Sequence, residues 1–282
     1  MKYKTIEIEV MNHVGILWLN RPEIRNALND DVMNEISTAL TAMEKDSGVR
    51  ALCLAGRGTA FCAGGDLNWM KKMASHTPAQ VARDAKVHSA TKVRSAAIKV
   101  RSADIFHQLH TFRKPTVARI HGPAYAGGMG LVAACDIAVA SMDASFCLSE
   151  VKIGLIPATI SPYVIRAMGE RMASRYFLTA ERFDAAEAYR IGFIHDITPP
   201  GELDAKVNDI LGHLILGGPR ALDESKKLIA LVGNAKLTPA LRTETVKRIG
   251  AARASSEGKE GIASFLQKRK PKWVTALKLD PE

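Results

Sequence analysis

The sequence predicts a mixed α/β fold, and three observations carry that reading. Near the start, Ile6, Ile8 and Val10 alternate with Glu7 and Glu9, the period of a half-buried strand. Next, Leu28, Val32, Ile36, Leu40 and Met43 recur at helical spacing, after which Val49–Leu54 returns to an apolar run. Last, two glycine-rich turns, around Gly64-Gly65 and Gly127-Gly128-Met129-Gly130, each follow strand-like sequence and precede helix-like sequence.

The elements then fall in order. The alternating segment pairs with Gly15-Ile-Leu-Trp-Leu across the polar Asn12-His13 break, giving an antiparallel hairpin. Asn20-Arg-Pro-Glu is a turn, and a helix runs from about Asn29 to Asp46-Ser-Gly, a plausible stop. Val49–Leu54 is a strand ending in Ala55-Gly-Arg-Gly. Thr116–Ile120 is the next, after Lys114-Pro115. A buried apolar helix leads from the second glycine turn to the strand Asp136–Ser141. Beyond Pro157, helical pieces at Ser161–Met168, Met172–Leu178 and Ala185–Tyr189 precede a short Ile194–Ile197 strand. After Pro199-Pro200 only helices follow: Leu203–Leu216, Ala221–Val232, Pro239–Arg253 and about Glu260–Lys270. The soft boundary divides the chain into a core, residues 1–200, and a helical C-terminal region, residues 201–282. A Lys-Val-(His/Arg)-Ser-Ala unit recurs from Lys86, Lys92 and Lys99, and reads as a helix lengthened by small duplications. A basic RNA-binding strip is the sharper alternative, but too few aromatics are interleaved to stack bases.

Composition narrows the class. The chain has 282 residues, 47% hydrophobic and 24% charged, enough apolar material for a sizeable core. No run approaches the roughly 20 apolar residues of a membrane-spanning helix. The opening MKYKTIEIEV lacks the apolar core and cleavage site of a signal peptide and reads as the first strand of a cytoplasmic protein. Cys53, Cys62, Cys135 and Cys147 lack CxxC spacing and look like reduced core thiols. The histidines show no ligand spacing, so no metal is expected. The net charge of +10 suits a phosphate-bearing partner, a nucleotide ester or a nucleic acid, or serves solubility alone.

The chemistry concentrates between His121 and Pro157. Glycines let backbone approach a ligand closely, and N–H groups at the mouth of a helix favour developing negative charge. Two separated glycine turns supply the two backbone donors that an oxyanion hole requires. Glu150, set among Phe146, Leu148, Val151 and Ile153, would be partly desolvated and so tuned for general acid/base work. An anion-stabilising turn beside one carboxylate points to acid/base chemistry on a carbonyl compound. Asp66 reads as a helix cap. Asp136, Tyr125 and Ser149 read as structural.

Together, FCAGGDL, HGPAYAGGMG, the CDI strand and SEVKIGLIP, with RPEIRNALN and EGIASFLQKRKPKW toward the two ends, resemble the enoyl-CoA hydratase/isomerase (crotonase) family over essentially the whole chain. The resemblance implies a spiral of ββα units with a C-terminal helical trimerisation region, assembled as a homotrimer or hexamer. It implies an acyl-CoA thioester as substrate, with coenzyme A part of that substrate and no separate cofactor, and neither membrane nor nucleic acid as partner. By motif position the oxyanion donors are the N–H groups of Gly65 and Gly127, and Glu150 handles the proton. Arg25, Ala63, Asp66, Leu67, Phe265 and Lys268 are implied to contact substrate or CoA, the last two either their own subunit's or a neighbouring subunit's.

Two-glutamate hydratases of the family carry their first glutamate three residues after the first glycine of the second turn, and here that residue is Gly130. The wording LSEVKIGLIPATISPYVI, followed by LTAERFDAAEA, is most similar to bacterial 3-methylglutaconyl-CoA hydratase-type proteins. The implied reaction is addition of water to, or its removal from, a branched or carboxylated 2-enoyl-CoA. An isomerase shifting a double bond between positions 3 and 2 is the alternative, and a catalytically weak CoA- or RNA-binding protein a third reading. A carboxylated acyl end would want an arginine or lysine, with candidates in residues 83–113.

Overall fold

A computed structural model of the chain describes residues 3–75, 77, 102–233 and 235–275, so the repeat beginning at Lys86, Lys92 and Lys99 lies outside the described residues except for its closing Ser102 and Ala103. The predicted hairpin forms as β1 (Ile6–Met11) and β2 (Val14–Leu19), paired antiparallel with Ile8 opposite Leu17. Helix α1 (Asp30–Lys45) begins where Asn29 accepts a hydrogen bond from the Val32 N–H, the usual N-cap bond. Its apolar stripe, Val32, Met33, Ile36, Leu40 and Met43, is buried.

The chain then lays down β3 (Ala51–Gly56), β4 (Thr116–Ile120), β6 (Ile137–Ser141) and β9 (Asp196–Thr198), all parallel, so that the main sheet has the order β1-β2-β3-β4-β6-β9. Between these strands come α2 (Leu67–Ala74), α3 (Ser102–His110), α4 (Gly127–Ala134), α5 (Ser161–Thr179) and α6 (Ala185–Arg190). A second sheet of three short strands, β5 (Ala124–Tyr125), β7 (Ser145–Cys147) and β8 (Phe183–Asp184), was not legible in the sequence. Segments of two or three residues are too short to show a period. The two helical pieces expected on either side of residue 170 form as the two parts of α5, separated by a kink at Gly169, whose φ of 78° only glycine adopts readily.

Strand alternation sorts the core. Leu17, Leu19, Leu52, Leu54, Ala118 and Ile120 face α1, α3 and α4 in the larger cluster, which also holds Phe61, Phe106, Phe112 and Phe146. Val14, Ala51, Cys53, Val117 and Val139 face the other way and are covered by α7 (Leu203–Leu216) through Leu203, Val207, Leu211 and Ile215. Beyond it, α8 (Pro219–Val232), α9 (Pro239–Ala254), α10 (Ser256–Leu266) and the short α11 (Lys272–Thr275) follow. Helix α9 has no buried residue. Among the described residues no helix is long and apolar enough to cross a membrane.

Candidate active site

The two glycine turns leave the C-terminal ends of adjacent strands, β3 and β4, and are laced together by backbone. The Cys62 N–H donates to the Pro123 carbonyl (3.1 Å) and the Tyr125 N–H to the Cys62 carbonyl (2.9 Å). A Cβ on Gly64 would stand 2.9 Å from the Ala126 methyl, and Gly128 lies so near the Cys62 carbonyl that a side chain there would clash outright. Glycine is required at both positions by this close approach.

The first turn is held by the N-terminal loop. Buried Asn26 donates to the carbonyls of Arg57 and Ala60 (2.8 Å each) and accepts from the Arg21 N–H (2.8 Å). Leu28 forms a parallel bridge with Gly65: its N–H reaches the Gly64 carbonyl (2.7 Å), and the Asp66 N–H reaches the Leu28 carbonyl (2.9 Å). That pattern uses the groups on either side of Gly65 and leaves the N–H of Gly65 itself directed away from the bridge. Asp66 caps α2, accepting from the N–H groups of Asn68 (2.9 Å) and Trp69 (3.3 Å), while its second oxygen takes the Arg21 guanidinium at 3.0 Å. Burial pushes the Asp66 carboxyl up, but the bonds from Trp69, Arg21 and Asn68 outweigh it, and its pKa is lowered.

The second turn opens α4. Gly127 is the first residue of that helix, so its N–H has no intrahelical acceptor, and Ala126 supplies no side-chain cap. Ala126 is held at φ 47°, ψ −117°, a sparsely populated region for a residue with a Cβ. Its N–H donates to the Cys147 carbonyl (2.8 Å) and its carbonyl accepts from the Gly130 N–H (3.2 Å), which fixes the turn against β7. Three residues beyond Cys147, Glu150 heads a short 3-10 turn, Glu150–Ile153, closed by Gly154 at φ 73°. Its backbone carbonyl accepts from the Leu155 N–H (3.0 Å), whereas its side-chain Oε2 is buried with no hydrogen-bond partner among the described residues. Burial pushes the Glu150 carboxyl up, its own backbone N–H offsets part of this, and no ionic neighbour among the described residues moves it. The expected apolar setting holds for Phe146 and Leu148, which are buried, but not for Ile153, which is 59% exposed.

Sequence reasoning missed what closes the floor of the site. A Cβ on Gly130 would overlap the Ile160 Cγ2 methyl and come within 2.9 Å of both Ile160 Cβ and Phe106 Cε1. Phe106 Cζ also lies 3.9 Å from where a Cβ on Gly127 would stand. Nothing in the local pattern of Phe106 or Ile160 marks them, because their role comes from packing between α3, α4 and the start of α5.

The expected CoA contacts are spread. The Ala63 N–H donates to the Arg25 carbonyl (2.9 Å), and Arg25 stands in the left-handed region (φ 54°) with its side chain exposed. Leu67 is 74% exposed beside the first turn. Phe265, 81% exposed, and Lys268 lie at the end of α10, whose main neighbours are α8 and α9, so the chain's own fold does not bring them to the turns. Tyr125 Oη is hydrogen-bonded to Ser145 (3.0 Å), and Asp136 is held by Thr116 (2.8 Å) and Lys226 (2.6 Å). All four cysteines are free, and burial pushes the Cys53 and Cys62 thiols up to about 12. Among the described residues no cluster of three or more His, Cys, Asp or Glu side chains is placed to hold a metal ion.

The chain as a whole is similar to known proteins. The chain is 30% identical over 279 residues to the crotonyl-CoA hydratase of Syntrophomonas wolfei, covering 98% of this chain and 100% of that one. The crystal structure of an enoyl-CoA hydratase from Shewanella pealeana superposes with a TM-score of 0.88 at 36% identity, covering 96% of this chain and 97% of that one. An enoyl-CoA hydratase/isomerase from Marinobacter aquaeolei gives 0.84 at 31% identity, over 95% and 98% of the two chains. The enoyl-CoA hydratase/isomerase family model matches residues 9–276. The chain therefore belongs to the enoyl-CoA hydratase/isomerase family of enzymes and has the crotonase fold.

Proposed function

We propose that the protein adds water to a 2-enoyl-CoA, or removes it, through a thioester enolate, and that the acyl chain is branched or carboxylated, as in 3-methylglutaconyl-CoA. What supports this reading is that the N–H groups of Gly65 and Gly127 are not used within their own bridge or helix and that, among the described residues, the buried Glu150 Oε2 has no hydrogen-bond partner. Negative charge developing on the thioester oxygen is met by the two donors, and loss of one such donor typically costs about 3–4 kcal/mol. Glu150 takes a proton from water and returns it to the α-carbon. The choice of acyl chain is supported by the resemblance of LSEVKIGLIPATISPYVI to 3-methylglutaconyl-CoA hydratase-type sequences.

Closure of the Gly130 position favours a second reading, an enoyl-CoA isomerase in which Glu150 alone shuttles one proton between carbons. The experiment follows the loss of enoyl-thioester ultraviolet absorbance on 3-methylglutaconyl-CoA and on crotonyl-CoA, with product masses. A gain of one water, faster on the branched acid, supports the hydratase. No mass change, with conversion of a 3-enoyl-CoA to its conjugated isomer, replaces it with the isomerase.

The same proposal takes the protein as a homotrimer or a pair of trimers. Its support is the apolar surface left on α8, α9 and α10, where Ile229 is 65% and Val246 68% exposed. In such an assembly Phe265 and Lys268 are placed to meet a neighbouring subunit's CoA.

A further inference from the structure

We infer that Leu28 is a positioning residue for the two backbone donors: its main chain fixes the turn that carries Gly65, its side chain abuts Gly127, and one residue thereby sets the spacing of the N–H pair. This rests on the oxyanion reading of Gly65 and Gly127 and deepens it. Two donors act on one oxygen only when both point to where its charge develops. In such a site a misplacement of about 1 Å can cost roughly 10²-fold in rate.

In the sequence Leu28 heads the apolar series Leu28, Val32, Ile36 and Leu40, yet it lies outside α1, just ahead of the Asn29 cap. There it forms the one-residue parallel bridge to Gly65. Its N–H donates to the Gly64 carbonyl (2.7 Å) and its carbonyl accepts from the Asp66 N–H (2.9 Å), so the residues on both sides of Gly65 are tied to it. The Leu28 side chain, only 4% exposed, reaches the other donor: its Cδ1 stands 3.0 Å from where a Cβ on Gly127 would lie. Phe106 Cζ (3.9 Å) and Gly64 Cα (4.0 Å) are farther from that point.

A second contact completes the clamp. The Ala126 methyl, directly before Gly127, lies 2.9 Å from where a Cβ on Gly64 would stand, directly before Gly65. The hydrogen bonds between the turns, Cys62 to Pro123 and Tyr125 to Cys62, lie upstream of both donors, and beside the donors the turns meet through these apolar contacts. Such contacts are short-ranged, and a gap of a fraction of an ångström forfeits much of them. The Ala126 methyl is fixed to its backbone, whereas the Leu28 contact depends on the full length of a side chain. Truncating Leu28 therefore frees Gly127 while leaving every backbone bond of the bridge in place.

The test separates position from packing. Acetoacetyl-CoA forms an enolate that absorbs in the near ultraviolet, and a pair of donors aimed at one oxygen favours that enolate on the protein over the enolate in water. At one fixed pH the enolate fraction of the bound ligand should exceed that in solution for wild type and fall toward the solution value in Leu28→Ala. Turnover of 3-methylglutaconyl-CoA by Leu28→Ala should show kcat lower by about 10-fold or more with KM nearly unchanged. Leu28→Met, close in volume and reach, should recover most of both readings. Leu40→Ala, the same truncation in the buried stripe of α1, should keep wild-type kcat and enolate fraction. Leu28→Val, shorter by one methylene, carries the same comparison where Leu28→Ala does not fold. Wild-type enolate fraction and kcat in the Leu28 variants, or equal losses in Leu40→Ala, overturn the inference and leave the oxyanion reading standing. A wild-type protein that does not favour the bound enolate removes both.

Discussion

The Ile160 Cγ2 methyl occupies the space into which a side chain on Gly130 would project, so the floor of the site is closed by a residue thirty positions away in sequence. Gly130→Ala is therefore expected to destabilise the protein by about 1–3 kcal/mol through overpacking. Ile160→Ala alone opens a cavity at a cost of about 2–5 kcal/mol. Combined, the two should cost at least about 0.5 kcal/mol less than the sum of the single changes, since each relieves the other. Denaturant unfolding of the four proteins checks this, and strict additivity would refute the contact.

The raised Glu150 carboxyl makes both rate and stability depend on pH. In the folded state Glu150 holds its proton to higher pH than in the unfolded chain, whose glutamates titrate near ~4.3. The folded protein therefore binds more protons between the two values, and this group's contribution to stability, present below the unfolded pKa, is lost as pH rises through the folded one. Glu150→Gln should be more stable than wild type at neutral pH, with the advantage fading as pH falls toward ~4.3. Unfolding midpoints across that range measure it, and the acid limb of kcat/KM should likewise lie above the ordinary glutamate value.

Asp66 shows the opposite sign. Its lowered carboxyl contributes stability above the unfolded aspartate value of ~3.9, and that contribution is lost as pH falls through the folded pKa. Asp66→Ala removes the α2 cap and the Arg21 partner together, at an expected cost of about 0.5–2 kcal/mol for the cap alone. Because Asp66 adjoins the Gly65 donor, turnover should fall as well. Asp66→Asn retains the cap acceptor and should recover most of the stability in thermal unfolding.

Much of this was legible in the sequence, for physical reasons. The α1 stripe and the β1–β2 alternation are periodic, and each period reports a buried face. The glycine turns were legible as turns, and their close packing on each other, with the Cys62 carbonyl against Gly128, is a reason for glycine there that the sequence did not specify. What escaped was nonlocal: Asn26 fastening the first turn, Arg21 reaching Asp66 across forty-five residues, and Phe106 and Ile160 meeting at Gly130. Ala126 was also silent, since an alanine forced to φ 47° carries no sign of it in its neighbours.

The exposed apolar face of α8 and α9 leads to a prediction about assembly. Ile229→Lys combined with Val246→Lys should convert a trimeric particle into monomers in sedimentation velocity, because two buried charges in an apolar interface cost several kcal/mol. A wild-type protein that sediments as a monomer would contradict the proposed trimer.

The most direct test of the central claim is turnover of 3-methylglutaconyl-CoA by Glu150→Gln, measured on protein whose unfolding midpoint shows it folded. If Glu150 carries the proton while Gly65 and Gly127 hold the enolate, kcat should fall by about 10²–10⁴-fold with little change in KM. Turnover at the wild-type rate would contradict the account.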